Sequence, residues 1–288
     1  MDDTDLYGGL AGAPLPVERF DLGRGITLSA TYAHLMAPFM MAFKRPERGQ
    51  PHPGPWRAAS GGFGFDILGQ IHVPAGFTVP NWFDRLNTVW WFVALMRFRA
   101  SPYIVVPVVA DGPFSADGSE GVRFLPMEVE SKLLLLEKDA PREIRVEDLE
   151  WVKENWWDAG RLMHESEEFN LLFQACAQCV FTRNPALALL QLWGSLEGMF
   201  SPAKTELKFR VSANISCFLE ASGQARLELQ KRIGKLYDAR SMAAHGASKI
   251  SPNALGDTYA LVKRIITAII ETSKVPSRDD LEAAMFGS

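Results

Sequence analysis

The feature that most constrains this chain is a long succession of helical patterns that begins near residue 147. In "VEDLEWVKENWWDAGRLM" apolar residues recur at three- and four-residue intervals, and Asp148 is a suitable N-cap for the first helix. Turn-forming residues at 183–186, 201–204 and 221–223 divide the rest of this half, and "NALGDTYALVKRIITAIIETS" (253–273) closes the run. The sequence therefore predicts an α-helical bundle over residues 147–286.

The first half of the chain has a mixed character. Residues 1–24 are acidic and then rich in Gly and Pro, which predicts a flexible N-terminal arm. Residues 25–146 predict an α+β domain, with strands at "FDILGQIHVPAG" and "YIVVPVVA". The remaining predictions are a helix over 27–46, a loop over 47–64, a helix over 81–100 and one or two strands within 121–139.

Composition narrows the class of protein. Hydrophobic residues make up 47% of the chain and charged residues 22%, as in folded soluble proteins. The net charge of −4, spread evenly over both halves, argues against binding to duplex DNA. No apolar run reaches the ~20 residues that span a bilayer, so we expect no membrane partner. The N-terminus is acidic and lacks the pattern of a signal peptide, and the chain has only three cysteines. Both observations predict a cytoplasmic protein.

Two clusters have both a chemical and a structural interpretation. Cys176 and Cys179 have the C-x-x-C spacing of zinc and redox sites, but no second ligand pair accompanies them and they lie in an apolar helical pattern. We therefore expect two small buried residues and no metal or cofactor. The tryptophan pairs at 90–91 and 156–157 suit base stacking, but such pairs more often pack in a core.

Arg240 and His245 form the remaining candidate site, in "LYDARSMAAHG" (236–246). A five-residue step turns a helix by about 140° and rises about 7.5 Å, so helix spacing alone does not place the two side chains together. Gly246 suits a left-handed helix cap, which would put His245 at an unwound end. The structural alternative is that Arg240 pairs with a carboxylate and His245 caps the last carbonyls.

The chain resembles the HEPN superfamily, in particular its Apea-like branch. The arginine, four residues and a histidine at a helix end match the superfamily motif, and "LQLWGSLEGMFSPAKTELKFRVSANISCFLE" (190–220) resembles a second block of this branch. The two blocks have the expected order and spacing, and the resemblance covers residues 148–275. It implies a bundle that forms a homodimer with two such motifs facing one cleft.

Active members of the family cut RNA without a metal, so the resemblance implies an endoribonuclease acting on single-stranded or tRNA-like RNA. By position, Arg240 would clamp the phosphate, and His245 would act as acid or base in an attack by the 2′-OH that leaves a 2′,3′-cyclic phosphate. Ser241 stands where many family nucleases have another polar residue, and Glu197 would orient Arg240. The family context is bacterial defence, toxin activity or stress response, and in that context residues 25–146 would serve as a sensor or regulatory domain.

Two alternatives to the nuclease remain open. Many HEPN proteins are non-catalytic modules that bind RNA, a nucleotide or a protein partner, and the acidic charge of this chain suits that role. A redox or zinc role for Cys176 and Cys179 is the other. Ala247 also departs from members paired with a nucleotidyltransferase antitoxin, which often carry a modifiable tyrosine there; this argues against that subtype.

Overall fold

The computed structural model describes residues 4–78, 83–115, 120–129, 142–201, 206–245 and 252–286. Its N-terminal part is an antiparallel sheet with the strand order β2-β3-β4-β1-β5-β6. The strands are β1 (Leu6–Ala11), β2 (Arg19–Gly23), β3 (Ile26–Ala42), β4 (Trp56–Val73), β5 (Val105–Ala110) and β6 (Phe124–Pro126).

The prediction of a flexible arm over residues 1–24 is wrong, because β1 lies inside the sheet, between β4 and β5. The glycines that suggested a loop are needed because other side chains pack closely against this strand. A Cβ added at Gly8 would lie 2.2 Å from Cγ1 of Val89, on the helix that covers the sheet. β2 continues the same sheet and buries Leu22 completely.

The predicted helix over 27–46 is also wrong, because β3 occupies residues 26–42 and pairs along most of its length with β4. Pro38 explains the error. A helix interior does not tolerate a residue that lacks the amide hydrogen, whereas a strand accepts proline at an irregular position. The register of β3 against β4 shifts between Pro38 and Met40. Residues 56–64 of the predicted loop over 47–64 belong to β4.

Other predictions for this half are confirmed. The helix expected over 81–100 is α1 (Arg85–Arg99), which begins at an N-cap, Asp84, whose carboxylate accepts the backbone N–H of Asn87. Of the strands expected at "FDILGQIHVPAG" and "YIVVPVVA", residues 65–73 lie in β4 and residues 105–110 form β5. Within 121–139 the structure has the short edge strand β6, while residues 130–141 lie outside the described part of the chain.

The second half is helical, as predicted. The helices are α2 (Val146–Glu165), α3 (Glu167–Cys179), α4 (Pro185–Phe200), α5 (Leu207–Leu219), α6 (Gln224–Ala244), α7 (Pro252–Thr272) and α8 (Arg278–Phe286). One detail differs: the N-cap of α2 is Arg145, and Asp148 lies in the first turn. The Asp148 carboxylate accepts the backbone N–H of Arg145 at 3.1 Å, so it still satisfies a free donor at the helix start.

The sheet and the helices share one continuous hydrophobic core. The indole N–H of Trp91 in α1 donates to the carbonyl of Trp156 in α2 at 2.9 Å, and the Trp91 ring lies 4.6 Å from that of Phe173 in α3. Trp156 in turn donates to the carbonyl of Leu22 in β2. Trp91 and Trp156 are therefore packing residues. Among the described helices, none is long and apolar enough to cross a membrane.

Candidate functional site

Arg240 and Glu197 are brought together from α6 and α4. Nη2 of Arg240 donates to Oε2 of Glu197 at 3.0 Å, and Oε1 of the same carboxylate lies equally near. Both side chains are largely shielded from solvent, with 26% of Arg240 and 17% of Glu197 exposed. The guanidinium is not fully engaged, because its Nε is buried without a hydrogen bond to any described residue. The ion pair with Glu197 therefore fixes the orientation of the Arg240 side chain. Part of the guanidinium has no hydrogen-bond acceptor among the described residues.

Tyr237 completes this cluster and was not predicted from the sequence. Its ring centre lies 5.5 Å from the Arg240 guanidinium, and the Glu197 carboxylate lies close enough to influence its hydroxyl. Burial raises the pKa of Tyr237, and the neighbouring Glu197 carboxylate raises it further. The ring of Trp193 packs edge-on against Tyr237 at 5.2 Å.

A helical spacing could have identified these two aromatic residues. Tyr237 precedes Arg240 by three positions, and Trp193 precedes Glu197 by four, so each aromatic residue shares a helix face with a member of the ion pair. The cluster is thus a tight contact between one face of α4 and one face of α6.

His245 ends α6, as the sequence predicted for this position. It is the C-cap residue, and its backbone N–H bonds the carbonyl of Ser241 at 3.2 Å. The His245 side chain is exposed, whereas the Ser241 side chain is half-buried. Gly246, for which we expected a left-handed cap, lies outside the described residues. Arg240 therefore faces Glu197, and His245 lies in solvent just past the helix end.

An open basin of about 790 Å³ lies between α5 and α6 on the side of Tyr237. Its polar lining includes Lys208, Lys231 and Lys235. Lys208 forms an ion pair with Asp238 at 2.7 Å. Tyr237 belongs both to the lining of the basin and to the Arg240 cluster, whereas Arg240 itself does not line the basin.

The cysteine pair is placed as two small buried residues of α3. Cys176 and Cys179 are each 2% exposed, and Cys179 Sγ donates to the carbonyl of Cys176 at 3.1 Å. Burial raises the pKa of Cys176 to about 12 and that of Cys179 well above its usual value, so both thiols stay protonated near neutral pH. Within the described ranges, no group of three or more His, Cys, Asp or Glu side chains is placed to hold a metal ion.

Searches of protein-family models, curated proteins and solved structures find no match to this chain. The resemblance to the HEPN superfamily therefore rests on the two sequence blocks alone.

Proposed function

We propose that the helical part of this protein is a metal-independent RNA endonuclease of HEPN type. The observation that carries the proposal is the Arg240–Glu197 pair at the end of a helix that terminates in an exposed histidine. A partly exposed arginine with uncommitted donors suits the non-bridging oxygens of a phosphodiester. An imidazole in solvent can exchange protons near neutral pH.

The proposed reaction is an internal transfer within the RNA. The ribose 2′-oxygen attacks the adjacent phosphorus, and the bond from phosphorus to the 5′-oxygen breaks. A histidine takes the proton from the 2′-OH and a proton is delivered to the leaving 5′-oxygen, which yields a 2′,3′-cyclic phosphate and a 5′-OH. Arg240 would stabilise the negative charge that grows on the phosphorus oxygens. A homodimer through the bundle would supply a second His245 for the other proton transfer.

The experiment uses the purified full chain with 5′-labelled single-stranded RNA in EDTA. We expect cleavage that ends in cyclic phosphate, and a loss of at least about 100-fold in rate for Arg240→Ala and for His245→Ala, the range typical of acid–base and charge-stabilising groups. Arg232→Ala and His164→Ala are matched controls, because Arg232 lies on the same helix in an exposed ion pair with Asp257 and His164 is an exposed histidine at the end of α2. Equal cleavage by wild type and the site variants would contradict the mechanism.

The second candidate is a non-catalytic HEPN module that binds RNA, a nucleotide or a protein partner. The observation in its favour is that Glu197 already neutralises Arg240 within the bundle, as it would in a purely structural pair. The same experiment separates the two candidates. RNA binding that survives in wild type with no cyclic phosphate product under any condition favours the module.

A further inference from the structure

The strands β3 and β4 continue well beyond the sheet as a two-stranded arm, which we define as residues 36–64. β2 pairs with β3 only as far as Ser29, and β1 pairs with β4 only between Ile67 and Val73. Beyond these points the two strands pair with one another, with Met36 opposite Gly64 and Ala42 opposite Trp56. At ~3.4 Å per residue the paired part extends about 20 Å.

The arm exposes large apolar side chains that the rest of the fold leaves uncovered. Six of them, between 49% and 71% exposed, are Met36, Phe39, Met40, Met41, Phe43 and Trp56. A monomeric soluble protein rarely presents such a group, and a two-stranded ribbon has little stability of its own in water. The arm therefore has the properties of a surface that binds a partner.

The charge of the arm indicates the kind of partner. Residues 36–64 contain the cations Lys44, Arg45, Arg48 and Arg57 and the single acidic residue Glu47, a net charge of +3. The whole chain has a net charge of −4, so all the other residues together carry −7. A polyanion approaching this protein is repelled by most of the molecule and attracted to the arm.

We propose that the arm binds single-stranded RNA; the choice of RNA rests on the proposed function of the bundle. Single-stranded nucleic acid is bound by surfaces that combine cations for the phosphates with exposed aromatic rings on which bases stack. Phe43 and Trp56 provide such rings beside Lys44 and Arg57, and His52 contacts the Trp56 ring edge-on at 6.2 Å. The exposed methionines can wedge against unstacked bases. Contact between the arms of two copies would bring two +3 surfaces together.

Fluorescence anisotropy with a labelled 12-nucleotide RNA tests this, using the full chain with His245→Ala so that the probe stays intact. The triple variant Lys44→Gln, Arg45→Gln, Arg48→Gln should bind at least tenfold more weakly at 100 mM salt. Its slope of log affinity against log salt should be smaller by about 2, at ~0.7 per phosphate contact. Phe43→Ser with Trp56→Ser should weaken binding about tenfold or more, with little change in the slope.

The matched control is Lys153→Gln, Arg161→Gln, Arg278→Gln. It removes the same charge from helix residues outside the arm, each of which forms an ion pair with a solvent-exposed carboxylate. Equal weakening by control and arm variants would mean that net charge alone matters and would overturn the proposal. Unchanged RNA binding in the arm variants would overturn it too. The proposal would also be overturned if the arm variants changed only the sedimentation of the protein and not its RNA binding. The arm would then be a contact between copies of the chain.

The two proposals fail separately. If RNA binding depends on the arm but the protein never cleaves RNA, the proposal for the arm is supported and the proposed nuclease activity is refuted. If cleavage depends on Arg240 and His245 but KM is the same in wild type and arm variants, the nuclease proposal is supported and RNA binding by the arm is refuted.

Discussion

Arg240 carries a charge that is only partly exposed to solvent, and two neighbouring side chains accommodate it. A guanidinium that is only about a quarter exposed needs a carboxylate nearby, because an unpaired charge shielded from water is costly. Glu197 provides it through Nη2, while the ring of Tyr237 lies beside the guanidinium and Nε stays free of described partners. The pair therefore links α4 to α6 at a place that solvent reaches only in part.

The three cysteines should differ sharply in reactivity. Alkylation requires the thiolate, and burial keeps the pKa of Cys176 near 12. We expect iodoacetamide at pH 7.5 to label the partly exposed Cys217 of the folded protein and to spare Cys176 and Cys179. Peptide mass spectrometry measures the labelling, and labelling in urea should reach all three. Cys176 reacting as fast as Cys217 in the folded state would contradict the buried placement.

The same burial gives the stability a pH dependence. Because the pKa of Cys176 is higher in the folded state, the folded state holds the thiol proton more tightly. Its contribution to stability is therefore complete below the unfolded value of 9.0 and is lost as the pH rises towards 12. From this group alone we expect the free energy of unfolding to fall by ~1.4 kcal/mol per pH unit in that interval. Urea unfolding of wild type and Cys176→Ala at pH 8 and pH 10 measures the difference.

At the scale of elements, β3 has two ends with different roles. Leu28 lies in the sheet and is completely buried, whereas Met40 lies in the arm and is half exposed. We expect Leu28→Ala to lower the free energy of unfolding by about 2–5 kcal/mol, because it leaves a cavity in the core. Met40→Ala should change it by less than about 0.5 kcal/mol, since half of the residue is already exposed to solvent. Urea unfolding measures both, and similar costs would mean that the arm packs on the body.

The helices were predictable because each carries its own local signal. Asn184 before Pro185 starts α4, and Gly223 precedes α6, so breaks in the pattern coincide with breaks in the fold. The strands were less predictable. β1 is a Gly-rich segment in which Gly8 is explained by the approach of Val89 and Gly9 by that of Phe114. β3 has the apolar density of a helix although Pro38 argues against one. Both depend on residues distant in sequence.

The candidate site shows the same limit. The motif identified Arg240 and His245, and the resemblance indicated Glu197, which the fold places against Arg240 from 43 residues away. The three-residue spacing from Arg240 could have indicated Tyr237, but its position beside Glu197 depends on how α4 packs on α6. The spacing also indicated that Arg240 and His245 would not meet within one chain. The exposed His245 beyond the helix end agrees with that geometry.

At the scale of the whole molecule, the two halves are joined through aromatic packing rather than a thin linker. Trp91 belongs to the helix that covers the sheet, yet its hydrogen bond goes to α2 and its ring contacts α3. Trp156 makes the reverse connection from α2 to β2. Because these tryptophans are fully or almost fully buried, the sheet and the bundle each cover part of the other's core.

Loss of one such contact should therefore weaken both halves at once. Trp91→Phe removes an indole donor from the Trp156 carbonyl and leaves a cavity, so we expect the free energy of unfolding to fall by about 2–4 kcal/mol. Hydrogen exchange followed by mass spectrometry should show protection falling by a similar factor in β1 and in α3. Trp90→Phe, at a partly exposed neighbouring position, is the matched control and should cost less. Loss of protection confined to the sheet would mean that the bundle is stable without it, and the two halves would then be independent folding units.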